Sequence, residues 1–173
     1  MTATSGEDFR EFVDARGQAL LRVALALTGN HHAAEDLLQH ALERTFARWS
    51  HIGSDPEAYV RTALYHAQVS LWRRRRRVRE VPVGQAPDRA DTRDDMYVTE
   101  QRMAVREALG RLGPRQRAVL VARFFEDLSE EQTAELLGCT TGTVRSQTHR
   151  ALNRLRQLAP ELRAVDLTRE GIS

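Results

Sequence analysis

Residues 129–155 read SEEQTAELLGCTTGTVRSQTHRALNRL, and this stretch decides the fold of the second half of the chain. Ser129, followed three residues later by Gln132, forms the capping box that opens a helix. Gly138 breaks this helix, and Thr140 can cap the next one. After Thr140 the apolar residues recur at helical spacing. A short helix, a tight glycine turn and a longer helix together predict a helix-turn-helix.

The second helix of this motif carries a polar face that is suited to reading duplex DNA. When its apolar side is buried, the opposite side presents Thr143, Arg145, Ser146, Gln147, His149 and Arg150. In a helix-turn-helix the second helix enters the major groove, where Arg can bind guanine and Gln can bind adenine. Gly142, at the open N-terminus of the helix, suits a phosphate. The alternative is a solvated helix face in a bundle, but the motif spacing favours a DNA reader.

The rest of the chain also shows helical periodicity and no strand pattern. Helices are predicted over the ranges 9–27, 34–49, 56–77, 105–112 and 114–124. We therefore predict an all-α protein with two small helical bundles joined by a flexible linker, the second bundle containing the helix-turn-helix. The predicted boundaries are 1–77 for the first domain, 78–100 for the linker, 101–160 for the second domain and 161–173 for a C-terminal tail.

Charge is distributed unevenly along the 173 residues, although the net charge is only +2. All 26 basic residues are Arg, and residues 61–80 contain seven of them against one acidic residue. Residues 78–100 carry two Pro and four Asp without periodicity, which is typical of a linker. Local basic patches of this kind attract a polyanion whatever the net charge.

Several classes of protein are excluded by what the sequence lacks. No membrane span or signal peptide fits, and the single Cys139 cannot form an internal disulfide, so we expect a cytoplasmic protein without membrane contact. His31, His32 and His40 lack metal-ligand spacing, so no metal site is expected. No phosphate loop or nucleophile motif is present. We therefore expect neither a cofactor nor an enzymatic activity.

The first domain offers three further candidate features. The densest basic run is Arg73, Arg74, Arg75, Arg76 and Arg77. This run carries more positive charge than is needed to compensate the helix dipole, and it therefore indicates a polyphosphate partner. Tyr59 and the loop SHIGSD (residues 50–55) lie upstream, where an aromatic ring could stack on unpaired bases. Trp49 and Tyr65 could instead fill the core. Glu35 and Asp36 either stabilise a helix N-terminus or form an acidic docking face.

Four segments follow one another along the chain: the helix with AEDLLQ, the Arg-rich helix that starts at Asp55-Pro56, the acidic linker, and GPRQRAVLVARFFEDLSEEQTAELLGCTTGTVRSQTHRALNRLR. In this order they resemble the segments of the extracytoplasmic-function sigma factors of bacterial RNA polymerase. The resemblance covers roughly residues 9–158. It implies one domain that binds core polymerase and opens the −10 element, and a second domain that reads the −35 element. It also implies an anti-sigma factor as a partner.

The resemblance assigns roles to residues by position. Glu35, Asp36 and Gln39 would bind core polymerase at the clamp helices of its largest subunit. Single-stranded −10 DNA would contact a set in the first domain: Ser50, Ile52, Ser54, Tyr59, Thr62 and the arginines from Arg73 to Arg77. Duplex −35 DNA would contact the polar face of the second helix. The phosphates of the −35 DNA would bind Gly142 and Thr143, and also Arg117 from the neighbouring helix.

Two other functions remain open from the residues alone. A stand-alone helix-turn-helix regulator would need no polymerase, and its first domain would serve dimerisation or ligand binding. An adaptor that binds RNA or protein through the Arg run would leave the helix-turn-helix unused.

Overall fold

The computed structural model describes residues 3–78 and 100–160, with side chains described over residues 5–70 and 103–160. Within these ranges the chain is helical and contains no β-strand. The all-α prediction is confirmed, as is the order of the helices. The predicted linker, apart from its two end residues, and the predicted tail lie outside the described residues.

The first unit consists of three helices that follow the predicted segments. They are α1 (Ala3–Thr28), α2 (His31–Phe46) and α3 (Pro56–Val78), with a short 3-10 turn at Trp49–His51. The Asn30 side chain accepts a hydrogen bond from the backbone N–H of Ala33 at 2.9 Å, which caps α2 as expected. Asp55 Oδ1 accepts from the Ala58 N–H at 2.9 Å in the same way, directly before the proline that begins α3.

The second unit consists of α4 (Glu100–Gly110), α5 (Pro114–Leu120), α6 (Glu130–Leu137) and α7 (Thr141–Leu158). A π-helical turn, Val121–Phe125, extends α5.

The predicted helix-turn-helix is formed by α6 and α7. Ser129 and Gln132 form both bonds of the capping box, at 2.8 and 3.1 Å. Gly138 ends α6 with φ +63°, a left-handed conformation that a residue with a Cβ rarely adopts. The Thr140 hydroxyl accepts a hydrogen bond from the Thr143 N–H and so caps α7. The predicted motif is therefore confirmed.

The two units share one hydrophobic core, an arrangement that the sequence did not predict. Leu20, Leu27 and Leu64 of the first unit belong to the same buried cluster as Leu109 and Leu120 of the second unit. A unit of about 60–70 residues buries only about 60% of the surface that its unfolded chain exposes. Packing one unit on the other covers apolar surface that each would otherwise leave in water.

Polar contacts also cross between the units. Nε of Arg61 on α3 lies 2.9 Å from Oε2 of Glu126, which follows α5. Nε2 of His66 on α3 lies 2.9 Å from the carbonyl oxygen of Leu136 on α6. Since a carbonyl oxygen only accepts, this His66 nitrogen must carry the proton.

Candidate nucleic-acid interface

The recognition helix α7 buries one side and leaves the other open, as its sequence predicts. Val144, Ala151 and Leu155 are buried. The polar set on the opposite side is exposed or half-buried: Gly142, Thr143, Arg145, Ser146, Gln147, His149 and Arg150. A Cβ added at Gly142 would meet only the Thr140 hydroxyl, at 3.9 Å, so the N-terminus of α7 is open to a ligand. The structure thus brings the predicted −35 residues of α7 onto one accessible face.

Arg145 is held by an acidic residue of the neighbouring helix. Its Nε donates a hydrogen bond to Oε2 of Glu130 at 2.5 Å, while 68% of the Arg145 side chain stays exposed. The Glu130 hydrogen bond raises the pKa of Arg145. Glu130 was not among the site residues predicted from the sequence. The sequence signal that could have identified Glu130 was its position as the first residue of α6. In a helix-turn-helix the start of the first helix lies beside the start of the recognition helix.

Other polar side chains of α7 bond within the helix. Ser146 Oγ donates to the Thr143 carbonyl at 3.0 Å. Asn153 Nδ2 lies 3.0 Å from His149 Nε2. Single bonds of this type leave the hydroxyl and the imidazole with further hydrogen-bonding capacity, so both groups can still meet a base edge or a phosphate.

Arg117, expected by resemblance at a phosphate, is only 6% exposed. All five of its N–H groups are directed at backbone carbonyl oxygens. Two of these belong to the end of α1, Leu27 at 3.2 Å and Thr28 at 2.5 Å. The other three belong to the end of α4 and the following turn, namely Leu109, Gly110 and Leu112. A phosphate contact from Arg117 stays a prediction, and it requires these bonds to break first.

Burial lowers the pKa of the Arg117 guanidinium to about 10, so it is fully charged near neutral pH. The structure pairs this charge with the carbonyl ends of two helices, which carry partial negative charge. Gly29 lies directly beside it with φ +72°, and a Cβ there would be 3.5 Å from Arg117 Nη1. The glycine lets the chain turn sharply from α1 into α2 next to the guanidinium.

A cavity of about 300 Å³ lies at the start of α3, where −10 contacts are predicted. Its lining includes Ile52, Asp55 and the half-buried ring of Tyr59, together with Arg48 and His51. His51 belongs to the loop 50–55 that was predicted to contact DNA, whereas nothing in the sequence indicated Arg48 as part of the site. A planar base would find an aromatic ring, a cation and hydrogen-bonding groups in this cavity.

The other predicted −10 residues lie around this cavity or beyond it. Ser50 and Ser54 are exposed on the loop, and Ser50 Oγ lies 3.1 Å from His51 Nδ1. The Thr62 hydroxyl donates to the Ala58 carbonyl at 2.9 Å, one turn back along α3. Arg73, Arg74, Arg75, Arg76 and Arg77 continue α3, but their side chains lie outside the described residues.

Two aromatic residues of the first unit prove to be structural. Tyr65 is fully buried in the core. The Trp49 ring packs against Phe9 at 5.0 Å and Phe12 at 5.4 Å between ring centroids. These contacts fix the loop after α2 against α1 and so support the cavity that Tyr59 lines.

The predicted docking residues Glu35, Asp36 and Gln39 are all exposed on α2. Glu35 and Gln39 border a shallow apolar groove between α1 and α2, whose floor includes Phe9, Leu38 and Phe46. Asp36 Oδ2 lies 3.7 Å from His32 Nε2 one turn earlier. An apolar groove with an acidic rim suits a partner helix that has an apolar stripe and basic flanks.

None of the helices in the described part is long and apolar enough to cross a membrane. Over residues 3–78 and 100–160, no group of three or more His, Cys, Asp or Glu is placed to hold a metal ion.

Comparison with known proteins matches both units to one family. The family described as sigma-70 region 2 matches residues 12–78, and sigma-70 region 4 matches residues 102–155. The chain is 41% identical to RNA polymerase sigma-E factor of Streptomyces avermitilis, over 92% of this chain and 88% of that one. It is 42% identical to RNA polymerase sigma-E factor of Streptomyces coelicolor, over 94% and 93% of the two chains.

A solved structure is similar across both units. It is the sigma factor RpoE of Bartonella quintana in complex with the anti-sigma factor NepR, with a TM-score of 0.66 and 28% identity. The match covers 91% of this chain and 99% of that chain. The chain therefore belongs to the extracytoplasmic-function sigma factors of the sigma-70 family. It is an RNA polymerase sigma factor and not a stand-alone regulator, so that rival interpretation is set aside.

Proposed function

We propose that this chain confers promoter specificity on core RNA polymerase by reading two DNA elements, and that it acts in the cytoplasm without catalysing a reaction of its own. The observation that carries the proposal is the pairing of two different nucleic-acid surfaces in one chain. One is the exposed polar face of α7, which fits a major groove. The other is the cavity beside Tyr59, which fits an unpaired base.

The −35 element is read by the face of α7. Arg145 and Arg150 supply cations for guanine or phosphate, and Gln147, Ser146 and His149 supply hydrogen bonds to base edges. Gly142, through its backbone N–H at the N-terminus of α7, and Thr143, through its side-chain hydroxyl, bind a phosphate. Base contacts would set the sequence, and phosphate contacts would set the register.

The −10 element is opened and held by the first unit. A flipped base enters the cavity lined by Tyr59 and Ile52, with Ser50, Ser54 and Thr62 around it. The arginine run from Arg73 to Arg77 continues the same helix and supplies positive charge for the phosphates of the displaced strand.

Core polymerase docks on α2. Glu35, Asp36 and Gln39 form the polar rim of this contact, and the groove between α1 and α2 supplies its apolar part. An anti-sigma factor is a second proposed partner, because the similar sigma factor of Bartonella quintana was solved in complex with one.

Run-off transcription with purified core polymerase tests this function. Promoter-specific transcripts are expected only when core polymerase and this chain are both present, and they should disappear when either promoter element is scrambled. Specific binding to the promoter by this chain without polymerase, combined with no polymerase-dependent transcript, would show that the proposal is wrong.

A further inference from the structure

Three exposed side chains of α7 form a chain of hydrogen bonds that ends on His149. Arg156 Nη1 donates to Asn153 Oδ1 at 2.9 Å. Asn153 Nδ2 lies 3.0 Å from His149 Nε2. The residues are spaced four and three positions apart along α7, and side chains at these spacings are neighbours on a helix surface. Asn153 and Arg156 thus lie directly behind a residue that is predicted to read the −35 element.

The direction of this hydrogen-bond chain is set by Arg156. A guanidinium has only donors, so the atom of Asn153 that faces Arg156 must be the carbonyl oxygen. The NH₂ group of Asn153 is thereby turned toward His149, and it can only donate. His149 Nε2 must then accept, so the neutral ring carries its proton on Nδ1. The nitrogen of His149 that is left to meet DNA is therefore a donor.

We propose that Asn153 and Arg156 are positioning residues for base recognition, because they fix the tautomer of His149 and so decide which base edge its Nδ1–H accepts as a partner. The inference rests on the proposed function, in which His149 faces a base of the −35 element. In the major groove guanine presents acceptors at N7 and O6, whereas cytosine presents the N4 amino donor. His149 therefore selects guanine over cytosine at the base that it meets.

The tautomer matters most when DNA covers this face of α7. In the free chain, water can replace any exposed hydrogen bond of the imidazole, so little affinity depends on where the proton lies. In the groove, an Nδ1 without its proton would face the acceptors of guanine and leave both groups unsatisfied. Such a mismatch lowers affinity by roughly tenfold.

Replacing Arg156 reverses the chain without touching His149. The carboxylate of Arg156→Glu only accepts, so it turns the NH₂ group of Asn153 toward itself. Asn153 Oδ1 then accepts from His149 Nε2, and Nδ1 becomes an acceptor that suits cytosine N4. Arg156→Lys keeps a head group that only donates and should keep the native direction. Arg154→Glu makes the same charge change at an exposed position on the same helix and is the matched control.

The first measurement is the tautomer of His149 in the free full chain, by nitrogen NMR of the imidazole rings. The signals of His149 are identified by their loss in His149→Ala. The spectra are recorded at pH 8, above the ordinary imidazole pKa of about 6.5, so that a neutral ring is observed. We expect Nδ1–H to predominate in the native chain, Arg156→Lys and Arg154→Glu, and Nε2–H to predominate in Arg156→Glu.

The second measurement is binding of the holoenzyme to promoters in which each −35 base pair is replaced in turn. His149→Ala identifies the contacted position, where the base preference should disappear. There the native holoenzyme should prefer one orientation of the G·C pair by roughly tenfold, and Arg156→Glu should prefer the opposite orientation. Arg156→Lys and Arg154→Glu should keep the native preference. A change of charge alters affinity for all sequences alike, so it cancels in this ratio.

Asn153→Ala removes the link between Arg156 and His149. The His149 ring then takes up either tautomer according to its surroundings, so the preference between the two orientations should fall to about threefold or less. Circular dichroism checks that each variant keeps its helices, which is expected because all the replaced side chains are exposed.

The proposal is overturned if the native chain and Arg156→Glu show the same tautomer. It is also overturned if a holoenzyme that binds promoter DNA specifically shows the switch of tautomer but no reversal of base preference, or if His149→Ala weakens binding to all sequences equally. Failure of the proposed function has a different signature. In that case the tautomer switches as expected, but the native chain with core polymerase gives neither sequence-specific binding nor a promoter-dependent transcript.

Discussion

Arg145 Nε lies 2.5 Å from Oε2 of Glu130, so the first residue of one helix of the helix-turn-helix holds an arginine of the recognition helix. The bond leaves most of the Arg145 side chain exposed but occupies one edge of its guanidinium. At the proposed −35 interface Glu130 would therefore compete with DNA for Arg145, and it would place a negative charge beside the phosphates.

The first prediction concerns this competition. Glu130→Gln removes the charge while keeping the shape of the side chain, so the affinity of the holoenzyme for promoter DNA should rise and its dependence on salt should become steeper. The affinity for duplexes with scrambled −35 sequences should rise at least as much, because the Arg145 charge, no longer paired with Glu130, attracts any phosphate. Glu135→Gln, on the same helix, is the control. Filter binding over a salt series measures both effects, and an unchanged salt slope would contradict the competition.

The second prediction concerns the arginines of α7. Arg145→Ala or Arg150→Ala should each weaken −35 binding by about 1–3 kcal/mol if the side chain makes a bidentate base contact, and should relax preference at one base position. Binding to a set of −35 duplexes with single substitutions measures this. A uniform loss over all sequences would instead identify that arginine as a phosphate anchor.

The third prediction concerns docking on polymerase. Asp36 is exposed, so Asp36→Arg should leave the fold intact and weaken binding to core polymerase through reversed charge. Glu107→Arg makes the same change on α4 of the second unit and should bind normally. Pull-down with core polymerase, alongside circular dichroism, is the measurement. Native affinity in Asp36→Arg would place the docking surface elsewhere.

The fourth prediction concerns the cavity at the start of α3. Tyr59→Ala should slow strand opening at the −10 element, because the cavity loses the ring on which an unpaired base stacks. Tyr59→Phe keeps the ring and should open the promoter at close to the native rate. A fluorescent base analogue in the −10 element reports the opening, and equal rates in Tyr59→Ala and the native chain would argue against base capture in this cavity.

The local signals in the sequence were sufficient for the helices and their caps. Asn30, Ser129 and Gly138 act through neighbours within a few residues, so their roles can be read from spacing. The exposed face of α7 followed from the same periodicity. These features depend on short-range geometry, which one sequence contains in full.

The contacts that join distant parts of the chain could not be predicted in this way. Arg117 and Thr28 are 89 positions apart, and nothing in the sequence near either residue indicates the other. Arg48 belongs to the cavity only because the 3-10 turn brings it beside Tyr59. The core that the two units share could not be predicted either, because the apolar face of each unit, taken alone, is equally consistent with a separate small bundle.

In the proposed function one chain, bound to core polymerase, reads two separated elements of one promoter. Photo-crosslinking residues placed at Arg48, beside the −10 cavity, and at Asn153, beside the DNA-reading face of α7, test it most directly in the active holoenzyme. We expect the Arg48 probe to attach to the −10 element and the Asn153 probe to attach to the −35 element of the same promoter. Attachment of both probes within one element, in a holoenzyme that still initiates, would contradict it.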